Sequence, residues 1–220
     1  MAGKNSELRY TLYIGTKNFS SWSLRAWLAM KMAGIEFTEV IIPLRQPETR
    51  AEIRRYSPSG KVPLLVIENS HGKELVWDSF SICETVAERF PSAGLWPDDA
   101  AARAQARSIS AEMHSGFPEL RAALPMDITA WLKTGPLSDP VQEQIARVLG
   151  IWESALSRFG GKEGFLFGRF SIADAFYAPV ATRFVTHGIE LPPLQRGYVE
   201  RIVSLPHMQE WAAGAKRVVA

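Results

Sequence analysis

The chain has 220 residues, 46% apolar and 22% charged, which is enough to build a sizeable core and to fill two small domains. A formal net charge of +2 is too close to neutral to favour nucleic acid as a partner, and no apolar run approaches the roughly 18 residues of a membrane span. The opening MAGKNSELRY has no apolar segment of the signal-peptide kind, and a single cysteine excludes an intrachain disulfide framework, so a reducing, cytoplasmic setting is expected.

In chain order, residues 8–14 alternate Leu8, Tyr10, Leu12 and Ile14 with their neighbours, a period of two that predicts a strand. From Leu24 the period lengthens: Leu24, Trp27, Leu28 and Met32 share one helical face, and Gly34 supplies the stop. IEFTEVIIP reads as a second strand ended by Pro43, and PETRAEIRRY as a short helix with proline at its start. VPLLVIEN and KELVWD read as two strands joined by a turn at HG. Ile82, Cys83, Val86 and Phe90 mark a helix from Ser81 to Phe90, closed by Pro91. The order is β-α-β-α-β-β-α over about 85 residues.

PSAGLWPDDA then breaks the pattern with proline, glycine and acids and reads as a linker. No strand pattern follows it. Val141, Ile145, Val148, Leu149, Trp152, Leu156 and Phe159 form a long apolar stripe at helical spacing. FSIADAFYAPV opens another helix, with Ser171 and Asp174 as a capping box in which Asp replaces the usual Glu. Pro206 opens a last helix through Trp211. The pair Arg54–Arg55 and the residues Arg103 and Arg107 read as solvated helix faces. Strands followed by helices alone predict an α/β domain at 1–90 and an all-α domain at 99–220.

Several chemistries lack their motifs. There is no G-x-S-x-G elbow, Walker A loop, G-x-G-x-x-G or C-x-x-C. His71, His114, His187 and His207 have no metal-ligand spacing, so no metal site is expected. Cys83 falls on the apolar face of its helix and reads as a small hydrophobe. Three features remain: serines 20, 21 and 23 at a strand-to-helix junction, Val62-Pro63 at the start of a strand, and Asp78-Ser79 where a strand runs into a helix. Each has a plain structural reading, as a cap or a strand start. Together they put two helix N-termini, each a ready anion site, after the first and last strands of one small sheet. One suits a thiolate and the other a carboxylate.

SSWSLRAWLAM is similar to the SSxSxRxxxAL segment of the zeta class of glutathione transferases. SPSGKVPLL matches the NPxxxVPxL segment that carries the family's cis-proline, DS at 78–79 its [EDQ]-S pair, and SIAD its S-x-A-D box. Over nearly its whole length the chain thus resembles the cytosolic glutathione transferases, in a bacterial, serine-type, zeta-like form. The resemblance implies an α/β thioredoxin-like N-terminal domain followed by an all-α helical C-terminal domain, glutathione as co-substrate, and a homodimer. It implies that Ser20, with Ser21 as the close competitor, donates to the glutathione sulfur. Val62 would pair its backbone with the cysteinyl part of the tripeptide beside a cis Pro63, Asp78 and Ser79 would hold the γ-glutamyl end, and Lys61 would face the glycyl carboxylate.

The activity so implied is transfer of the glutathione thiolate to small electrophiles. The alternatives are a zeta-like, glutathione-dependent isomerase of the maleylacetoacetate type, or a non-catalytic glutathione-binding protein on the same fold. His114, Ser115 and Arg183 are the candidates for the electrophile side. Two departures argue against diacid isomerisation: Trp22 stands where many zeta members have cysteine, and Arg183 lies three residues before the position of the zeta arginine, here Thr186.

The serine chemistry is energetically sufficient. Only a thiolate attacks, and a free thiol near pKa ~8.5 is mostly protonated at neutral pH. Lowering that pKa by about two units takes roughly 2.7 kcal/mol. A hydroxyl donating to an anion supplies ~1.5–3 kcal/mol, and a helix N-terminus adds ~0.3–1 kcal/mol.

Overall fold

The computed structural model describes residues 8–132 and 134–217. The leaderless reading of the N-terminus rests mainly on residues 1–7, which lie outside the described residues. Four strands form one mixed sheet: β1 (Arg9–Gly15), β2 (Thr38–Ile42), β3 (Leu64–Asn69) and β4 (Gly72–Trp77), in the order β2-β1-β3-β4. β1 runs parallel to β2 and antiparallel to β3, and β4 returns antiparallel to β3. Between them lie α1 (Ser21–Met32), α2 (Thr49–Tyr56) and α3 (Ser79–Arg89). After a 3₁₀ turn at Pro91–Ala93, the long described elements are all helices: α4 (Ala100–Ser115), α5 (Pro118–Ala123), α6 (Asp139–Phe159), α7 (Ile172–Thr186), α8 (Pro193–Val203) and α9 (Pro206–Arg217). Strand pairing there is limited to one isolated bridge, Phe167 to Arg169.

One apolar cluster runs through both halves, from Leu12, Trp27 and Cys83 to Trp152, Phe176 and Trp211. Helix α1 packs against α3 on one side and along α7 on another. It is therefore buried almost all round, Ser21, Ser23 and Arg25 included, whereas its sequence periodicity predicts a single apolar face. Helix α7 is interior along nearly its whole length, and its capping box forms as expected, Ser171 and Asp174 each bonding back to the other's end.

Several details differ from the sequence reading. Helix α2 starts two residues beyond Pro47, because Thr49 Oγ1 accepts from the Gln46 N–H (3.0 Å) and donates to the Pro43 carbonyl (2.7 Å), building a turn first. Helix α9 continues past Trp211 to Arg217. Helices α5 and α8 have no counterpart in the sequence reading, although in α8 Gln195, Tyr198, Val199 and Ile202 recur at helical spacing behind Pro193. Arg103 is not a solvated face: its Nη1 donates to the carbonyls of Pro97 (2.9 Å) and Asp98 (2.8 Å) and ties down the linker.

Candidate active site

Every strand end that the site needs lies on one rim of the sheet. Gly15 closes β1, where a Cβ would sit 2.6 Å from Leu44 Cδ1, so a side chain there would displace Leu44. Ser20 caps α1, and its oxygen accepts from the Ser23 N–H (3.3 Å). Its own hydroxyl donates to Ser23 Oγ (2.7 Å), which also accepts from the Gly15 N–H (3.0 Å). Ser23 thus stitches strand to helix, and the Ser20 proton is spent on that stitch.

Ser21 differs. Its oxygen accepts from Arg183 Nη2 (3.4 Å), and its own proton reaches no acceptor among the described residues. The Val62–Pro63 bond is cis. At the end of β4, Asp78 takes a positive-φ conformation (φ 74°, ψ 135°) and caps α3, its Oδ1 accepting from the Phe80 N–H (2.8 Å). Ser79, first residue of α3, is buried, and its Oγ has no hydrogen-bond partner among the described residues.

These elements enclose a cavity of about 500 Å³. One wall carries Ser59, Lys61, Val62 and Pro63, another Trp77, Asp78 and Ser79, and the helical half contributes His114 from α4. From the serine stretch it is Trp22 that lines the cavity, with Ser20 and Ser21 buried behind it. Of the electrophile-side candidates only His114 reaches this space. Ser115 is exposed and turns its hydroxyl back to the Ala111 carbonyl (3.0 Å). Arg183 is buried and holds the Leu124 carbonyl at the end of α5 (2.8 Å) and the Pro179 carbonyl (3.2 Å). Ser59, Trp22 and Trp77 line the cavity without having been marked as site residues; only their adjacency to marked ones signals them in sequence.

His114 Nε2 lies 3.3 Å from Asp78 Oδ2, and its ring meets the Trp22 ring edge-on at 5.2 Å between centroids. Burial lowers its pKa, helped by the Arg25 and Arg121 charges and opposed by Asp78. The imidazole is therefore neutral at neutral pH, and a proton on Nε2 suits the carboxylate it faces.

Behind Trp22 sits a group of guanidinium ions. Arg25 is fully buried and none of its three side-chain nitrogens has a hydrogen-bond partner among the described residues; its Cζ lies 4.3 Å from the Trp22 ring centroid and 4.7 Å from that of Phe176. Arg121 lies 4.9 Å from the Trp22 ring and donates to the Gly116 (3.0 Å) and Met113 carbonyls. No carboxylate among the described residues forms an ion pair with Arg25, Arg121 or Arg183. Burial and the Arg121 charge push the Arg183 pKa down to about 10, and burial with both neighbouring arginines lowers that of Arg25. All three remain charged at neutral pH. An unpaired buried ion costs several kcal/mol, and cation–π contacts return about 2 kcal/mol each when desolvated. The region behind Trp22 therefore favours an anion.

The family model for the glutathione S-transferase N-terminal domain matches residues 19–89, and that for its C-terminal domain residues 100–214. The chain belongs to the glutathione S-transferase family. Among curated relatives it is similar to the maleylacetoacetate isomerase of Pseudomonas aeruginosa, 27% identical over 204 residues and 89% of each chain. A probable maleylacetoacetate isomerase of Caenorhabditis elegans is 30% identical over 115 residues, about half of each chain (52% and 51%). A Burkholderia glutathione transferase homolog, solved with bound glutathione, superposes with a TM-score of 0.68 at 25% identity, covering 95% of this chain and 98% of that one. Glutathione transferase Omega 2S of Trametes versicolor superposes at 0.71 and 24% identity over 96% of both, and shows the shared fold. Within the family's architecture, the sheet half supplies the Val62–Pro63 edge and the α3 start, and the helical half supplies His114.

Proposed function

We propose that this chain is a glutathione-dependent enzyme that holds the tripeptide along the Val62–Pro63 edge and activates its thiol through the serines that open α1. The observation that carries this reading is Ser79 Oγ, buried and unpartnered on the cavity wall at the start of an 11-residue helix. A carboxylate there meets a hydroxyl and free backbone N–H groups at once. The γ-glutamyl end of glutathione carries such a carboxylate. Lys61, on the opposite wall, suits the glycyl carboxylate. Of the two serines, Ser21 has the uncommitted proton, and we assign it rather than Ser20 as donor to the sulfur.

The reaction follows from that placement. The thiol loses its proton to water, the thiolate is held by a hydroxyl and a helix N-terminus, and it attacks the electrophile from beside Trp22 and His114. No protein nucleophile takes part: Cys83 is fully buried and burial raises its pKa strongly. The neutral His114 can hydrogen-bond an electrophile but adds no charge to hold one. Arg183 is bound to carbonyls away from the cavity lining. Small neutral electrophiles therefore fit better than diacids. The isomerase reading is favoured by one observation, the similarity to curated maleylacetoacetate isomerases.

Calorimetric titration with glutathione tests binding, and turnover of an aryl halide against that of maleylacetone tests the chemistry. Ser79→Ala is expected to weaken glutathione binding roughly tenfold or more, with a smaller effect on turnover at saturation, as loss of a buried hydrogen bond to a charged group implies. An unchanged dissociation constant leaves Ser79 as a plain first-turn residue and removes the carboxylate site. Faster isomerisation of maleylacetone than aryl-halide conjugation would select the isomerase.

A further inference from the structure

We infer that Arg183 is a positioning residue for the thiol: it donates to the oxygen of Ser21, behind Trp22, and so leaves the hydroxyl proton free and polarised for the sulfur. The inference rests on the glutathione reading above and deepens it. Arg183 stands on α7, in the helical half, and Ser21 stands in the first turn of α1. The contact between them is Nη2 to Oγ at 3.4 Å, both groups buried. A serine hydroxyl has one proton and two acceptor sites. With an acceptor site filled by a cation, the proton is the group left to give, and the cation makes it a better donor. Ser20 has the reverse arrangement, with its proton already given to Ser23.

The surroundings support a role for an anion at this point. Ser21 and Arg25 are four residues apart on one helix and so share a face. Arg25, with its three unpartnered nitrogens, backs the same turn, and Arg121 lies across the Trp22 ring from the helical half. Tyr177, on α7 beside the guanidinium ions, is held neutral by burial, as is Cys83 on α3. Asp78 and His114 face the cavity with each other. No acid within this group is directed at the three arginines, so their charge is left to stabilise what binds in front of them. The thiol proton goes to solvent, no bond forms to Ser21, and the negative charge rests on sulfur.

The test is the pH titration of the thiolate absorbance of glutathione bound to the full chain, at saturating glutathione, for wild type, Arg183→Lys, Ser21→Ala and the double variant. Wild type is expected to titrate well below free glutathione. Arg183→Lys, which keeps the charge but loses the fork, is expected to raise the bound thiol's pKa by about half a unit to one unit, a three- to tenfold loss of thiolate at neutral pH. The tripeptide's affinity should change less. In the Ser21→Ala background the same lysine substitution is expected to add little, because the serine through which Arg183 acts is gone. Equal shifts with and without Ser21, or none in a folded Arg183→Lys, overturn the inference. If Arg183→Lys does not fold, Arg183→Gln is titrated in its place with and without Ser21 and read by the same outcomes, and a larger shift for Ser20→Ala than for Ser21→Ala overturns the inference. Failure of wild type to bind glutathione or to depress its thiol pKa refutes the underlying reading instead.

Discussion

At the scale of single residues, Arg25 is the least expected feature. An arginine is among the side chains least suited to an apolar interior, yet it is fully buried between Trp22 and Phe176 with no hydrogen-bond partner among the described residues. Stability alone does not account for it. Replacing buried ions by apolar groups of similar volume is often neutral or stabilising. Arg25→Met is therefore expected to leave the melting temperature level or raise it by about 2–4 °C, the equivalent of about 1 kcal/mol in a chain of this size. The same variant should carry a bound-glutathione thiol that titrates higher than in wild type. Calorimetry and the thiolate absorbance check the two halves, and a large fall in melting temperature would show that the two aromatic faces fully compensate the charge. Stability given up near a reaction centre is the trade expected of functional sites.

At the scale of elements, the capping box of α7 makes a prediction with a definite sign. Asp174 is fully buried; its carboxylate accepts from the N–H groups of Leu166 (3.1 Å) and Ser171 (2.8 Å) and from Ser171 Oγ (3.0 Å). Burial outweighs those bonds and raises its pKa to about 6. In the unfolded chain an Asp titrates near ~3.9. Between those values the folded state holds more protons than the unfolded one, so this group's contribution to stability falls as pH rises through the window. The difference is about two units, or roughly 3 kcal/mol. Denaturant unfolding of wild type and Asp174→Asn at pH 4 and pH 6.5 measures it. Stability of wild type relative to the variant should decline by about 2 kcal/mol between those two pH values, and a constant difference would mean that the hydrogen bonds hold the carboxylate pKa near its ordinary value.

At the scale of the whole molecule, β4 is an edge strand whose outer positions carry Leu75 and Trp77, 41% and 46% exposed. Large apolar side chains on an uncovered strand invite a second chain. We expect a homodimer that covers this edge, with a solution mass twice the 24.5 kDa of one chain. Leu75 is not among the cavity-lining residues, unlike Trp77, so Leu75→Glu separates assembly from binding. Light scattering should then report one chain's mass while the variant still binds glutathione. A wild type that scatters as a single chain would refute the dimer. The two halves of one chain, by contrast, share a continuous apolar cluster and meet along α1 and α7.

The sheet and the flanking helices were legible in the sequence because their signals are local. Alternation along Leu8 to Ile14, the apolar stripe from Val141 to Phe159, and Ser171 with Asp174 each depend on a few neighbouring residues. Asp78-Ser79 and Val62-Pro63 were legible for the same reason: caps and proline positions carry their geometry in the residue type. Ser20 and Ser21 look alike in sequence. Their difference comes from Ser23, three residues on, for one, and from Arg183, 162 residues on, for the other. Helix α8 carries a weak apolar signal because its buried positions include a glutamine and a tyrosine. The burial of Arg25, the absence of a carboxylate partner for it among the described residues and the withdrawal of Arg183 from the cavity depend on how α7 lies against α1. Periodicity shows that a helix has an apolar face, but which groups that face encloses depends on long-range packing.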